Sequence, residues 1–310
     1  MKDRFNIDLV ILYVNGKDPV WLNEFNKHNE EFNPHQSDGN IITRYDDVDL
    51  LKYVFRSTAL YAPWINKIHL VVSGESQVPE WLNTDYVHVV YHEDFIPKEY
   101  LPTFNSNTIE MFLWNIPELG EHFIYANDDL FFNSYCQPFH FFSRDRIPKN
   151  TAVTAYLANS SAINSAWLSF FINSSKLASQ GTDAKYISNG KLVIPMHDFK
   201  SCSKSNYKDI FMRHKNIILN TISKFRKEFN ISIYYFIMYN IFRKRNGVSK
   251  REFKYFPITP NSIKHIEKSL NNSSLNTICL NTVPNSAQED GEKVVNLLEN
   301  KFPMKCIYER

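Results

Sequence analysis

The chain has 310 residues, of which 43% are hydrophobic and 15% aromatic, so it can bury a substantial core and lies outside the composition of disordered proteins. Its 35 basic and 33 acidic side chains nearly cancel, which excludes a global charge that would recruit nucleic acid or an acidic membrane surface. Any anion must therefore be bound by a local site.

The first predicted elements are a strand and two helices. The segment FNIDLVILYVNG, residues 5–16, combines β-branched and aromatic residues with a closing Asn-Gly, which predicts a core strand running into a loop. Residues 18–32 space their large apolar side chains as a helix does. In residues 48–65, apolar side chains recur near the helical period before Pro63, which predicts a helix of about three to four turns.

Two further strands are predicted at KIHLVVSGE, residues 67–75, and YVHVVYHE, residues 86–93. TIEMFLWNIPEL, residues 108–119, predicts a helix that Pro117 brings towards its end. The order strand, helix, strand, strand favours an α/β layered sheet over an all-α or all-β fold.

The stretch FIYANDDLFF, residues 123–132, places Asn127, Asp128 and Asp129 in the middle of an apolar strand pattern. An unpaired carboxylate is costly there, so a cation or hydrogen-bond donors should face it. In open α/β sheets ligands lie beyond the carboxyl ends of strands, where carboxylate pairs can hold a divalent ion on a diphosphate. The alternative is a strand that ends at Ala126, followed by an Asx turn and a cap.

The second half of the chain differs from the first in composition. Residues 159–190 are rich in Ser, Asn, Thr and Gly, which indicates irregular structure and suggests an insertion or a substrate-covering segment. Residues 224–247 have a helical period that stops at Gly247. Their apolar stretch, residues 231–242, is too short to span a bilayer and predicts a buried helix, with contact to a membrane surface as the alternative.

Two features bear on location and covalent chemistry. The N-terminal apolar run has only about seven residues and no small-residue cleavage site, which argues against a secretory signal peptide and predicts a cytoplasmic protein. The four cysteines are widely spaced and form no CxxC pair, which disfavours a disulfide or metal–thiolate scaffold: Cys136, Cys202, Cys279 and Cys306.

Four blocks, in order, carry a family resemblance. They are IDLVILYVNGKDP from residue 7; the stretch from Arg44 to Phe132 with YAPWI, LPTFNS and NDD; IPMHDF around His197; and KFRKEFNISIYYFIMYNIFRKRNG from residue 224. The end of the chain, ICLNTVPNSAQEDGEKVVNLLENKFPMKCIYE from residue 278, also carries a matching LN pair, an apolar helix and a closing FPMKCIYE. In these blocks and at this end, the chain resembles the Stealth family, the sugar-1-phosphate transferases of bacterial capsule synthesis and of the lysosomal targeting enzyme GlcNAc-1-phosphotransferase. The resemblance covers nearly the entire chain.

The chain departs from the family pattern at four positions. Tyr13 stands where the family usually has Trp, Asp46 where a basic residue is common, Leu50 where Glu is usual, and Asp198 where we expect a small or apolar residue followed by Pro.

This resemblance implies a glycosyltransferase-A-like or Rossmann-like layered sheet with helices on both faces and a helical C-terminal part. It implies one catalytic domain over residues 1–310, with a nucleotide-sugar-binding α/β part at 1–150 and the insertion, histidine segment and helical part at 151–310. The implied reaction moves hexose 1-phosphate or N-acetylhexosamine 1-phosphate from a UDP-sugar, UDP-GlcNAc or a related one, to a sugar hydroxyl and releases UMP.

The implied acceptor is an oligo- or polysaccharide of a capsule or another surface polymer, free or lipid-linked. A lipid-linked acceptor would bring the protein to the inner face of the cytoplasmic membrane, with at most peripheral membrane association. Nucleic acid is not an expected partner.

The resemblance also implies roles for the most polar residues of the blocks. Asp128 and Asp129 are suited to hold Mg²⁺ or Mn²⁺, which prefer carboxylate oxygens and bridge phosphate oxygens, and Asn127 would orient them or contact the donor. His197 is the candidate general base, since imidazole titrates near neutrality. Arg226 would neutralise the diphosphate, because a guanidinium matches phosphate geometry. We expect Asp128→Asn or Asp129→Asn to abolish turnover and to leave thermal stability near wild type.

Other residues of the matching blocks complete the candidate set. Asn15, Gly16 and Asp18 follow the first strand as a nucleotide-contacting loop, where glycine lets the backbone approach a ligand. Weaker candidates are Arg44 and Lys52 for the diphosphate, Asp47 and Glu110 as back-up acids, and Asn105 and Ser106 for a donor or acceptor hydroxyl. A solvated surface position is the alternative for the cations, and capping of the following helix is the alternative for Asn105 and Ser106.

Two other functions are consistent with the same sequence features. An ordinary metal-dependent glycosyltransferase would attack the anomeric carbon and release UDP, and it also uses acid pairs after a strand. A non-catalytic sugar-binding protein would bind the nucleotide sugar without turnover. The presence of all four blocks in order favours sugar-1-phosphate transfer.

Overall fold

The computed structural model describes residues 5–28, 45, 49–156, 166–181, 187–188, 191–283 and 288–310. In the first half the elements are β1 (Ile7–Leu12), α1 (Pro19–Lys27), α2 (Leu51–Tyr61), β2 (Ile68–Val72), β3 (Val87–Tyr91), α3 (His92–Phe95), α4 (Ser106–Met111), β4 (His122–Asn127), β5 (Leu130–Phe132) and β6 (Lys149–Asn150). In the second half they are β7 (Ala152–Tyr156), α5 (Ala166–Ser179), β8 (Ile187–Ser188), β9 (Lys191–Pro195), β10 (Lys200–Ser203), α6 (Lys204–Arg213), α7 (Lys215–Leu219), α8 (Tyr234–Phe242), β11 (Gly247–Val248), β12 (Phe253–Pro257), α9 (Ile263–Leu270), β13 (Thr277–Asn281) and α10 (Gln288–Lys301).

The principal sheet has five strands in the order β10, β4, β1, β2, β3. β1 is parallel to both of its neighbours, β4 and β2, and β2 is parallel to β3, whereas β10 runs antiparallel to β4. The register pairs Leu12 with Asn127, so the loops after β1 and β4 leave the sheet side by side. In open α/β sheets this is the edge at which ligands bind.

Side chains of this sheet alternate between two apolar cores, as the pleat of a strand requires. Along β1, Ile7, Leu9 and Ile11 belong to a core that includes residues of α2, α9 and α10. Val10 and Leu12 belong to a second core that includes residues of α4, α6 and α8. The predicted α/β layered sheet with helices on both faces is therefore confirmed. The C-terminal part contributes strands to the fold as well as helices.

A second sheet, in the order β12, β13, β5, brings the C-terminal part to the end of β4. β13 is parallel to β12 and antiparallel to β5, and it pairs Cys279 with Leu130. The backbone N–H of Leu280 donates to the carbonyl of Asp129 at 2.9 Å. The turn that carries the carboxylates is thus held between strands from both halves of the chain.

The stretch FIYANDDLFF forms two strands instead of one. β4 ends at Asn127, Asp128 and Asp129 form a turn, and β5 begins at Leu130 in the second sheet. Neither carboxylate interrupts a strand. The acids instead lie in a turn beyond the carboxyl end of a parallel strand, which is where a ligand is expected in such sheets.

Two predicted helices are shorter than expected. α4 ends at Met111 and is followed by a 3₁₀ turn at Leu113–Asn115. Of residues 224–247, only Tyr234–Phe242 form a helix. Asn230 accounts for the missing turns, because its Oδ1 accepts from the backbone N–H of Lys227 at 2.7 Å and its Nδ2 donates to the carbonyl of Thr221 at 2.5 Å. A side chain that satisfies backbone groups in this way stabilises a loop in competition with a helix.

The helix α8 is buried from Tyr234 to Asn240, as predicted for the apolar stretch around it. Its apolar surface is covered by α5, α6 and the principal sheet. Within the described ranges, no helix combines the length and the apolar character needed to cross a bilayer.

The prediction of irregular structure for residues 159–190 is wrong for Ala166–Ser179, which form α5. Ser174 shows how a serine-rich segment can be helical: its Oγ donates to the carbonyl of Phe170, four residues earlier, at 2.6 Å. The same oxygen accepts from the backbone N–H of Ser232 at 3.0 Å, which ties α5 to the start of α8. Residues 159–165, 182–186 and 189–190 of this prediction lie outside the described residues.

Candidate active site

A cleft of about 200 Å³ lies at the carboxyl ends of β1 and β4. It is lined by residues that follow β1, by the turn after β4, by the start of α4 and by the loop between α7 and α8. Five of the predicted site residues line it: Ser106, Asn127, Asp128, Asp129 and Arg226. The cleft therefore collects two carboxylates and a guanidinium at the ligand-binding edge of the sheet.

Asp129 is a buried carboxylate with three polar neighbours. Its Oδ2 accepts a hydrogen bond from Nδ2 of Asn281 at 2.9 Å and one from the thiol of Cys279 at 3.2 Å. The same oxygen lies 3.8 Å from Nε2 of His197. Burial raises the pKa of Asp129, but the interactions with His197, Asn281 and Cys279 outweigh burial and lower the pKa overall. The carboxylate is therefore charged at neutral pH.

Asp129, His197 and Cys279 could together hold a metal ion, because one ligand atom of each lies within 4.8 Å of the others; no other such group occurs in the described part of the chain. A set with a thiolate would favour zinc. However, burial and the charge of Asp129 raise the pKa of Cys279 well above its ordinary value. The thiol is therefore protonated and serves as a hydrogen-bond donor to Asp129.

The carboxylate oxygens of Asp128 and Asp129 are better ligands for a hard cation than the set of Asp129, His197 and Cys279 is. Oδ1 of Asp129 is buried and has no hydrogen-bond partner among the described residues. Asp128 is half-buried and lines the same cleft. Carboxylate oxygens are the ligands that Mg²⁺ and Mn²⁺ prefer, so Asp128 and Asp129 are the residues that would hold either ion.

His197 reaches this turn from the segment between β9 and β10. Its side chain is 27% exposed, and its Nε2 lies 3.5 Å from Nδ2 of Asn127 as well as 3.8 Å from Asp129. The ring of Tyr255 lies edge-on at 6.2 Å between centroids. The imidazole is thus partly exposed and lies beside the Asp129 carboxylate, at a distance longer than a hydrogen bond.

Arg226 and Ser106 meet across the cleft, where Nη2 of Arg226 donates to Oγ of Ser106 at 2.8 Å. Asn105 has a different position, because it is fully buried and caps α4 by accepting from the backbone N–H of Asn107 at 3.1 Å. Its Nδ2 donates to Oδ1 of Asn230 at 3.0 Å. Asn105 thus joins the start of α4 to the loop that carries Arg226, in the capping arrangement that is the alternative to substrate contact.

The loop after β1 is held by its own hydrogen bonds. Asp18 caps α1 by accepting from the backbone N–H groups of Val20 and Trp21, and its Oδ2 also accepts from Ser76 at 2.6 Å. The backbone N–H of Asn15 donates to Oε1 of Gln77 at 2.7 Å. The side-chain oxygens of Asp18 are therefore engaged within the protein, and its contact with a nucleotide stays a prediction.

Gly16 makes a close backbone approach within the protein. Its N–H donates to the carbonyl of Tyr45 at 2.7 Å, and a Cβ at this position would lie 2.4 Å from that carbonyl oxygen. Tyr45 lines the cleft and donates its hydroxyl to the carbonyl of Phe104 at 2.9 Å. The absence of a side chain at Gly16 therefore shapes the cleft through Tyr45.

Two further candidates, Lys52 and Glu110, do not line the cleft. Lys52 lies on α2 with its Nζ 5.0 Å from the ring centroid of Tyr53. Glu110 is buried in α4, where its carboxylate oxygens contact the hydroxyl of Tyr125 and the backbone N–H of Ile233. Arg44 and Asp47 lie outside the described residues.

Three residues that contact the site were missed from the sequence. Cys279 and Asn281 come from β13, about half the chain away from Asp129, and Arg251 pairs with Asp198 beside His197. The Leu-Asn pair at residues 280–281 belongs to the closing segment that resembles the family, which is the signal that could have identified Asn281.

Comparison with known proteins places the chain in a family. Residues 44–150 match the region described as Stealth protein CR2, conserved region 2. A capsular polysaccharide phosphotransferase WcwK of Streptococcus pneumoniae is 30% identical over 343 residues, covering 100% of both chains. The exopolysaccharide phosphotransferase cps2G of Lactiplantibacillus plantarum is 41% identical over 151 residues, which are 48% of this chain and 43% of that one.

Among solved structures, the galactosyltransferase LgtC in complex with donor and acceptor sugar analogs superposes with a TM-score of 0.43 at 10% identity, covering 95% of this chain and 96% of that one. The relationship to WcwK extends over the whole chain, and the matched conserved region includes the turn with Asp128 and Asp129. The chain belongs to the Stealth family.

Proposed function

We propose that this protein transfers a sugar 1-phosphate, from a UDP-hexose or UDP-N-acetylhexosamine, to a hydroxyl group of a glycan during synthesis of a capsule or another surface polysaccharide. The observation that carries the proposal is the convergence of Asp128, Asp129, Arg226 and His197 at the carboxyl edge of the parallel sheet. The names of its relatives, capsular and exopolysaccharide phosphotransferases, support the same reaction class.

In this reaction the acceptor hydroxyl attacks the phosphorus that carries the sugar. A bond forms between the acceptor oxygen and that phosphorus, the bond from the phosphorus to the bridging oxygen breaks, and UMP leaves. The hydroxyl proton moves to Nε2 of His197, and Asp129, 3.8 Å away, stabilises the imidazolium. The product is a phosphodiester between the two sugars.

The protein must also neutralise and align the diphosphate. Arg226 lines the cleft, and its guanidinium matches the geometry of phosphate oxygens. Mg²⁺ or Mn²⁺ held by Asp128 and Asp129 would supply further neutralisation of the diphosphate charge. Ser106, which accepts from Arg226, holds the guanidinium in the cleft.

We also infer that residues 1–150 and 151–310 form one catalytic unit. The strand β10 extends the principal sheet beside β4, and β13 pairs with β5 in the second sheet. Both parts contribute to the site, since Asp129 belongs to the first and His197 and Asn281 to the second.

The proposal is tested by the nucleotide product. The purified protein is incubated with a panel of UDP-sugars, Mg²⁺ or Mn²⁺, and short capsule-type oligosaccharides, and the released nucleotide is identified by chromatography. We expect UMP whose release depends on acceptor and metal. Release of UDP would identify an ordinary glycosyltransferase, and binding of a UDP-sugar without turnover would identify a binding protein; either result rejects the proposal.

A further inference from the structure

An exposed tyrosine lies beside the candidate base. Tyr255 belongs to β12, an edge strand of the second sheet, and 43% of its surface is exposed. Its ring centroid is 6.2 Å from that of His197, and the two ring planes meet at 84°. Single exposed aromatic residues are common on protein surfaces and need no explanation by themselves. The position and the contacts of Tyr255 distinguish it from such residues.

Strand pairing directs the side chain of Tyr255 towards the turn that carries the carboxylates. The parallel register places Tyr255 opposite Cys279, and side chains opposite each other in a sheet lie on the same face. Asn281, two residues after Cys279, lies on that face too. Both of these β13 residues donate to Asp129, so this face of the second sheet is turned towards the candidate active site.

The hydroxyl of Tyr255 is held by a residue of the site. It donates to Oδ1 of Asn281 at 3.2 Å, and Nδ2 of Asn281 donates to Asp129 at 2.9 Å. The Asn281 amide therefore connects the phenol to the buried carboxylate. An exposed tyrosine that is tethered by its hydroxyl presents an apolar ring in a defined position before a ligand binds, which lowers the entropy cost of binding.

Tyr255 lies outside the cleft, next to the residue proposed to take the acceptor proton. Asp129 and Asn281 line the cleft, whereas His197 and Tyr255 do not. In phosphoryl transfer the attacking and leaving oxygens are roughly in line, so the acceptor approaches the phosphorus from the side opposite the departing nucleotide. With the nucleotide sugar in the cleft, the acceptor has to enter beside His197, where the ring of Tyr255 is exposed.

We propose that Tyr255 is an acceptor-binding residue, whose ring packs against one face of a pyranose of the acceptor glycan and thereby brings the acceptor hydroxyl to His197. The C–H groups on a pyranose face are apolar and slightly positive. The face of an aromatic ring is apolar and carries negative charge density, so the two surfaces attract each other. The proposal rests on the proposed function for the identification of the acceptor as a glycan.

The kinetic test compares two tyrosines of similar exposure. Tyr86 is 57% exposed and directly precedes β3, at the amino end of a parallel strand, whereas the cleft lies at the carboxyl ends. We expect Tyr255→Ala to raise the acceptor KM about tenfold and to leave the donor KM within about twofold of wild type. Tyr86→Ala should change neither constant. An unchanged acceptor KM in Tyr255→Ala, or a donor KM that rises as much as the acceptor KM, would overturn the proposal.

A conservative variant separates the ring from its hydroxyl. Tyr255→Phe keeps the aromatic face and loses the hydrogen bond to Asn281. We expect its acceptor KM to stay within about threefold of wild type, because the ring makes the contact with the sugar. If Tyr255→Phe is as impaired as Tyr255→Ala, then the hydroxyl binds the acceptor instead of the ring and the proposal is wrong.

A binding readout separates this proposal from the proposed function. Tyr255 is replaced by 3-fluorotyrosine, and Tyr86 is replaced in the same way as the control. The ¹⁹F resonance is followed while each oligosaccharide of the capsule-type panel is added in the presence of UMP. We expect a saturable shift at position 255 with the oligosaccharide that supports nucleotide release, and none at position 86.

The outcomes of the two proposals can be told apart. No shift at position 255 with any oligosaccharide of the panel would overturn the role of Tyr255. Release of UDP in place of UMP would reject the proposed function alone, because the acceptor would still bind at Tyr255 and the shift and the change in acceptor KM would remain.

Discussion

Asp198 and Arg251 form an ion pair in which Oδ2 and Nη2 are 2.6 Å apart and neither side chain is exposed. Thr151 donates to the same carboxylate oxygen at 2.9 Å, and Arg251 also donates to the carbonyl of Phe199 at 3.1 Å. Since Asp198 follows His197 directly, the pair anchors the segment that carries the candidate base. It also explains why an acidic residue can stand at a position where a small or apolar residue is expected.

Arg251→Met should therefore be strongly destabilising. It leaves the Asp198 carboxylate buried without its partner, which costs about 3–5 kcal/mol in comparable pairs. The matched control is Arg213→Met, which breaks an exposed pair with Asp209 on α6 and should change stability little. The measurement is the free energy of unfolding in urea. A loss for Arg251→Met no larger than that of the control would contradict the anchoring role.

Gly16→Ala should distort the cleft through Tyr45. The new Cβ would lie 2.4 Å from the carbonyl oxygen and 2.6 Å from Cβ of Tyr45, so the backbone must shift. Overpacking of this kind costs roughly 1–3 kcal/mol, and we expect weaker donor binding as well as a lower Tm. Gly74→Ala is the control, because nothing lies within 4 Å of a Cβ there. Equal effects of the two substitutions on donor affinity would show that Tyr45 does not shape the donor site.

The free energy of unfolding should fall as the pH is lowered, because His92 is buried and stays neutral in the folded protein at a pH where it is protonated in the unfolded chain. Burial lowers the pKa of His92 from 6.5 to about 4. Between pH 6.5 and pH 4 the unfolded state binds a proton at His92 that the folded state does not. The contribution of neutral His92 to the free energy of unfolding is therefore fully present above pH 6.5 and is lost as the pH falls to 4. The loss amounts to about 3 kcal/mol.

The difference between wild type and His92→Leu isolates this contribution. Unfolding in urea is measured for both proteins at pH 7 and pH 5. We expect wild type to lose more stability than His92→Leu between the two conditions. Parallel losses would mean that His92 does not remain neutral in the folded protein.

The two carboxylates of the turn should respond differently to removal of charge. Asp128→Asn should abolish turnover and leave Tm near wild type, as the sequence leads us to expect for both residues. The burial of Asp129 changes the expectation there. The charge that accepts from Cys279 and Asn281 is lost, and an amide NH₂ in place of Oδ1 would be buried with no partner among the described residues. Asp129→Asn should therefore cost about 1–3 kcal/mol of stability in addition to activity. Wild-type turnover in Asp128→Asn would remove its role in metal binding.

Local patterns in the sequence were sufficient for the sheet and for part of the site. β-branched runs such as IDLVIL locate β1, and the position of the Asn-Asp-Asp turn after a strand locates the carboxylates at the ligand-binding edge. The division of FIYANDDLFF into two strands could not be predicted from local patterns. β4 and β5 belong to different sheets, and only their pairing with distant strands separates them.

The rest depends on contacts between distant residues. Asn230 replaces the first half of a predicted helix with a loop because its side chain bonds to Thr221 and Lys227 and to Asn105. Asn281 and Cys279 reach Asp129 only through the pairing of β13 with β5. Periodicity contains no information on such partners, since it reports which face of an element is apolar and not what covers that face.

The most direct test of sugar-1-phosphate transfer follows the β-phosphorus of the donor. Wild-type protein is incubated with a UDP-sugar that carries radioactive phosphorus at the β-position, with Mg²⁺ or Mn²⁺ and the acceptor that supports nucleotide release. Transfer of sugar 1-phosphate predicts that the label enters the glycan and that the released UMP is unlabelled. Recovery of the label in UDP, with an unlabelled glycan product, would contradict the proposed function and show that the sugar alone is transferred.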